Sequence, residues 1–190
     1  MVSVSKEACS RVCQGDLIRD VEYLEKATEQ DGIIEVFKVV FPLAIVLTQD
    51  CDLAQDHMFR MQEQANQDKW LISVLLAPMY NAEHVFAGEH LSEIGVKSQP
   101  INKNKTDGRR LVQNKDPRYH YLEFPGDIEI VPSVVDFKHY FACPVSHLEA
   151  MKSTGSFVCK VSELYREDIS QRFAAFLSRI GLPALPERPG

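Results

Sequence analysis

Residues 16–24 alternate loosely between polar and apolar, the two-residue period of a half-buried strand, and the acidic stretch EKATEQDG carries the chain to Gly32 as a turn. Residues 33–41 follow, rich in β-branched and aromatic side chains, so the pair predicts a hairpin. Pro42 interrupts that run, and residues 43–48 resume it as a short continuous apolar segment typical of a buried strand. Residues 53–66 are polar with Met58, Phe59 and Met61 scattered through them, the pattern of a weak helix or a long loop. Another strand is predicted at 70–77, stopped by Pro78. Residues 83–94 read as a short helix in which Gly88 costs roughly 1 kcal/mol against Ala. Three further strands are expected at 119–124, 128–131 and 134–143, separated by PGD and by Pro132 and closed by Pro144.

Two helices complete the pattern. Ser146 and Glu149 have capping-box spacing for a helix over 147–152, which Gly155 ends. Ser162 stands as N-cap of a final helix over 162–181, where Ile169, Phe173, Phe176, Leu177 and Ile180 share one face and Glu167, Gln171 and Arg172 the other. Gly181 and Pro183 stop it in the usual order. Five large apolar residues, each worth roughly 1.5–3 kcal/mol when buried, need a cover, and the chain's own sheet is the nearest. The expected architecture is mainly β with helices, an α+β single domain over 1–190 closed by a C-terminal amphipathic helix.

Composition narrows the class. With 190 residues, 45% of them hydrophobic and 25% charged, one core suffices. The longest apolar runs, 39–47 and 71–77, are too short to cross a bilayer, and the first residues lack the apolar core of a secretory signal, so a cytoplasmic protein with no membrane association is expected. Cys9, Cys13, Cys51, Cys143 and Cys159 form an odd set, read as reduced thiols. Cys9 and Cys13 have the spacing of half a zinc site, but no second pair completes it, so no metal or cofactor is expected.

The net charge of −6 argues against nucleic acid covering the whole surface, yet it is unevenly spread. Residues 97–118 hold Lys97, Lys103, Lys105, Arg109, Arg110, Lys115 and Arg118 against Asp107 and Asp116, a local +5 that leaves −11 for the rest. Asn, Gly and Pro punctuate this segment, which reads as a basic exposed excursion. It runs into Tyr119, His120 and Tyr121. Cations such as Lys103, Lys105, Arg109 and Arg110 suit phosphates, and the rings of Tyr119 and Tyr121 suit unpaired bases, so the segment reads either as a nucleic-acid surface or as a solvated loop ahead of a strand whose tyrosines are half buried. A second candidate lies at the end of the buried strand, where Thr48, Gln49, Asp50, Cys51 and Asp52 follow one another. Cys51 is a candidate nucleophile or ligand, with Asp50 and Asp52 as base or orienting groups. Two adjacent carboxylates disfavour a thiolate, so a cysteine hydrolase here needs a cationic partner such as one of the six histidines.

The order of QGDLI, a hairpin, PLAIVLTQD, WLISVLLAPM, SVVDF and a terminal helix resembles the PemK/MazF toxin family. Gly15 and Asp16 match that family's first strand, and Ala77 and Pro78 the end of a central one. The resemblance implies a small Src-homology-3-like barrel, cleavage of single-stranded RNA, and a homodimer held by an antitoxin. Phe41-Pro42 stands where the family carries Arg-Pro, and Met79-Tyr80 where it tends to carry Thr, so the family's cation is missing. RNA cleavage through a 2′-hydroxyl needs a base, a proton donor and a cation for the phosphorane charge. The base role falls to Asp50 or His120, the phosphate contacts to Arg109 and Arg110, and supporting contacts to Thr48 and Gln49. The expectation is a toxin-like or defence-associated endoribonuclease. Its rivals are a non-catalytic protein-binding module on the same barrel and a cysteine-dependent hydrolase centred on Cys51.

Overall fold

The computed structural model describes residues 1–62 and 67–179. Among them, eight antiparallel strands make one strongly curled sheet, a half-barrel, accompanied by five α-helices. β1 (Val4–Ser5) is a two-residue edge, while β2 (Asp16–Gln30) and β3 (Ile33–Val46) form the longest ladder. Their turn is Asp31-Gly32, at φ 53° and 77°. Positive φ at both loop positions defines the type I′ turn, whose twist matches a two-residue hairpin, and Asp-Gly adopts it with little strain. The acidic stretch expected to be turn is therefore mostly strand: Lys26, Thr28 and Gln30 pair with Phe37, Glu35 and Ile33. Beyond the core this arm leaves Leu24, Ile33, Ile34, Val36 and Phe37 largely exposed. Pro42 does not break β3. It lies between the paired residues Phe41 and Leu43, opposite Asp20, whose φ of 56° marks a local irregularity.

β4 (Ser73–Asn81) is the spine of the sheet. One edge carries β3, and the other carries two strands in succession. β7 (Phe141–Pro144) pairs as far as Leu76, and β6 (Ser133–Asp136) begins at Met79. Pro78 sits in the gap between them, where that edge asks no ladder bond of its nitrogen, so the strand continues to Asn81. β5 (Tyr119–Leu122) lies outside β6, and β8 (Phe157–Val161), unforeseen in the sequence, joins β1 to β2. No strand forms at 128–131, and the expected strand over 134–143 is divided by a 3-10 turn, Phe137–His139.

Alternation along the strands sends Leu17 and Ile45 to one face and Ile18, Ala44 and Val46 to the other. α5 (Glu163–Leu177) covers the first face with Ile169, Phe173 and Phe176, the two phenyl rings packing 5.6 and 6.2 Å from Phe137. Leu177 is 50% exposed, so it does not belong to that seal. Ile180, Gly181 and Pro183 lie outside the described residues. α1 (Asp50–Arg60) and α4 (Val145–Ser153) cover the second face through Leu53, Val145 and Leu148. α4 begins at Val145 with Pro144 at its N-cap, so Ser146 is already inside the helix and its capping box is not formed.

A third cluster joins α2 (Ala82–Ala87) and α3 (Thr106–Val112) to β5 and β6 through Val85, Phe86, Leu111, Tyr119 and Val134. α2 stops at Gly88, whose φ of 77° and closeness to the Ser98 carbonyl exclude a side chain: an added Cβ would stand 2.5 Å from that oxygen. The basic segment is thus anchored, its charges outside and Leu111 inside. Among the described residues no helix is long and apolar enough to cross a membrane.

Candidate functional site

Asp136 ends β6, fully buried, and the backbone turns there into the 3-10 segment. In a 3-10 turn residues three apart stand above one another. His139 therefore returns over Asp136, its Nδ1 2.7 Å from Oδ2. Arg118, immediately before β5, grips the same carboxylate with Nε to Oδ1 at 2.9 Å and Nη2 to Oδ2 at 2.6 Å. The Lys138 amide donates to Oδ1 at 3.0 Å, and the Phe137 amide donates to the Arg118 carbonyl at 3.0 Å. Burial alone would push Asp136 up, but the Arg118 fork and His139 hold it down to about 2. An ionised carboxylate accepts only, so His139 donates to it from Nδ1, which leaves Nε2 as the ring nitrogen not engaged by Asp136. Behind the pair, the buried His90 stands with Nε2 3.9 Å from Asp136 Oδ2 and its ring edge-on to Tyr80. Burial lowers its pKa more than Asp136 raises it, which keeps it neutral.

His139 stands between two cavities that share Val96, Lys138 and His139 in their walls. One, of about 580 Å³, is cationic: Lys97, Arg118, Lys138 and Arg179 face it against Asp116, and Tyr119 lies beneath the Arg118 guanidinium at 4.7 Å. The other, of about 540 Å³, is aromatic, walled by Tyr23, Phe41, Tyr140 and Phe141. An oriented imidazole between a cationic hollow and an aromatic one can take a proton from a hydroxyl while an anion and a planar ring are held on either side.

Most residues expected to form the site lie elsewhere. His120 is 1% exposed and held at about 3 by burial and by Arg172; Asp168 is 4.0 Å away but lies mostly in solvent and does not offset this. Such a ring has no access to a substrate. Thr48 Oγ1 accepts the Leu75 amide at 2.7 Å and Gln49 Nε2 donates to Ser170 at 2.9 Å, so both fasten the end of β3. Asp50 opens α1 and receives Arg11 through bonds of 3.1 and 2.8 Å and the Gln14 amide at 3.1 Å. Burial opposes its ionisation, but Arg11 and that amide bring its pKa below the usual range, leaving it a poor base. Cys51 is exposed with Asp52 Oδ1 at 3.7 Å, and among the described residues no histidine, lysine or arginine bonds to it. Lys103 pairs with Glu83 and lies over Phe86 at 5.0 Å. Lys105 precedes α3, and Arg109 and Arg110 stand exposed on it. Tyr121 exchanges backbone bonds with the Asn114 side chain, at 2.6 and 3.1 Å.

Of the nominated residues only Tyr119 lines the cationic cavity. The basic segment contributes through its ends, Lys97 and Arg118, and not through its middle. Asp136, Lys138, His139 and Arg179 were missed. The sequence did carry a signal for the first three, D-F-K-H directly after a buried run, but reading 134–143 as one strand placed Asp136 and His139 on opposite faces. Among the described residues no group of three or more His, Cys, Asp or Glu is placed to hold a metal ion. Comparison with known proteins adds no assignment: no family model, no curated protein and no solved structure matches this chain.

Proposed function

We propose that the chain acts on single-stranded RNA at the His139 cleft, as a toxin-like endoribonuclease of the PemK/MazF kind. The observation that carries this is the 2.7 Å contact of His139 with a buried, ionised Asp136 at the junction of a cationic and an aromatic cavity. His139 Nε2 takes the proton of a 2′-hydroxyl, and the oxygen attacks the adjoining phosphorus. Asp136 is the positioning residue, and its charge stabilises the imidazolium that forms. Lys138, with Arg118 behind it, supplies positive charge for the phosphorane oxygens, the role for which Phe41-Pro42 offers no cation. The 5′-oxygen leaves and is protonated from solvent, since the cleft is open. A neighbouring base stacks among Tyr23, Tyr140 and Phe141. The curled antiparallel sheet is compatible with the barrel that the sequence resemblance implies.

His139→Ala should lower cleavage of a single-stranded RNA roughly a hundredfold or more while leaving binding nearly intact, and Lys138→Ala should weaken binding. Unchanged cleavage in His139→Ala, or wild-type protein that neither binds nor cuts RNA, would sink the assignment. A protein partner, whether antitoxin or second copy, is favoured by one separate feature, the exposed apolar arm of β2 and β3. Replacing Ile34 and Phe37 with Ser should abolish any concentration-dependent rise in mass; if the mass already stays that of a monomer, the arm has no self-association role.

A further inference from the structure

The loop between β1 and β2 carries two thiols that the cleft does not use. Cys9 Sγ accepts a hydrogen bond at 3.2 Å from Lys160 Nζ, on β8, and Cys13, four residues on, is near enough to interact with the Cys9 sulfur while its own thiol donates to the Arg11 carbonyl at 3.7 Å. Cys9 is partly exposed and Cys13 only 1% exposed, so the pair has an outer and an inner thiol. The other three cysteines lack this arrangement. Cys143 and Cys159 are sealed in the core and pushed up to about 11 by burial, and the polar neighbour of Cys51 is a carboxylate. A reactive thiol combines access with a neighbouring cation, and a reversible one also has a second sulfur within reach.

We propose that Cys9 and Cys13 form a peroxide-oxidisable dithiol, in which Lys160 holds Cys9 as the attacking sulfur and Cys13 is the resolving one. Partial burial pushes Cys9 up, but the neighbouring Cys13 thiol and the Lys160 ammonium outweigh it and bring the thiol below its ordinary value. Asp16 opposes this weakly, and Arg11 also faces the pair. The Cys9 thiolate attacks one oxygen of hydrogen peroxide; the O–O bond breaks, and the departing hydroxide takes a proton to leave as water. Cys9 is then a sulfenic acid. Cys13, which burial pushes up to about 12, gives up its proton as its sulfur attacks that of Cys9; the S–S bond forms, the S–O bond breaks, and the departing hydroxide takes that proton and leaves as a second water. Two electrons pass to the peroxide, and a dithiol reductant returns them.

The loop is also an anchor. Arg11, between the two cysteines, grips Asp50 at the start of α1, and the Cys13 amide donates to Asp16 Oδ2 at 2.9 Å. A bond between residues 9 and 13 would draw a short ring around Arg11 and release Lys160, so the oxidation state is felt where β3 meets α1.

The test uses the full chain carrying Cys51→Ser, reduced and then exposed to hydrogen peroxide. The intact mass should fall by about 2 Da, the two thiol hydrogens, and dithiothreitol should restore it. Trypsin cuts after Arg11, so EACSR and VCQGDLIR should appear as one disulfide-linked pair. Cys13→Ala in the same background should instead gain about 16 Da per oxygen at Cys9. In the otherwise unaltered chain, iodoacetamide should label Cys9 faster than Cys51, more slowly once Lys160→Met is introduced, and at close to the original rate with Lys160→Arg. Absence of the linked peptides would overturn the dithiol, labelling of Cys9 no faster than Cys51 would overturn its role as attacking sulfur, and an unchanged rate in Lys160→Met would overturn that of Lys160.

Discussion

At the scale of single residues, the two buried histidines make stability depend on pH. His120 is neutral in the folded protein, held at about 3 by burial and by Arg172, against an ordinary value of 6.5. Between those values the unfolded chain binds the proton and the folded chain does not, so stability falls as pH falls through the window, on the order of 1 kcal/mol per pH unit. His90, also lowered by burial, acts in the same direction. Asp136 acts in a lower window: with its carboxyl held at about 2, its contribution is present above the unfolded carboxyl range and is lost as pH falls towards that value. The melting temperature should therefore drop between pH 7 and pH 5, and His120→Phe should flatten that drop. Among the described residues His120 Nδ1 has no hydrogen-bond partner, so the phenyl ring forfeits no bond there. A wild-type melting temperature that is level across the same range would mean that water reaches the ring.

At the scale of elements, α5 is the best-determined feature. Phe173 packs on Phe137 and Tyr140, so Phe173→Ala should cost about 3–5 kcal/mol in chemical denaturation, whereas Leu177→Ala should cost under 1. Three of its apolar positions were legible because their spacing repeats with the helix and they sit in a well-covered stretch. Arg172 was not: it was placed on the polar face, yet its guanidinium fastens the carbonyls of Asn114 and Asp116, ahead of β5, and of Tyr119, the first residue of β5. The hairpin was legible from two strand-like runs on either side of an acidic stretch ending at Gly32, but its length was not, since strand residues past the core are under no pressure to alternate. The prolines at 42 and 78 misled for a related reason. Whether a proline ends a strand depends on what its nitrogen would have met across the ladder, and that is decided by pairing. The site suffered most, because three of its parts come from a tight turn concealed in a run of strand-like residues and another, Lys97, from 39 positions before Asp136.

At the scale of the whole molecule, a chain with net charge −6 gathers Lys97, Lys138 and Arg179 around one hollow. Three cations meeting RNA phosphates should give a log–log slope of affinity against salt of roughly −2, and removal of Lys97 should make it shallower by about 0.7. A flat dependence would show that the hollow does not read phosphate. The sheet itself imposes an order of events. β2 finds β3 across a two-residue turn, a local pairing of the kind made in microseconds, but its other edge pairs with β8, more than a hundred residues later. While the chain emerges from a ribosome, Leu17 and Ile18 therefore wait beside an open ladder until residue 161 is made. Nascent chains cut short before that point should bind holdase chaperones and seed aggregates, and adding back the last few dozen codons should be enough to relieve both.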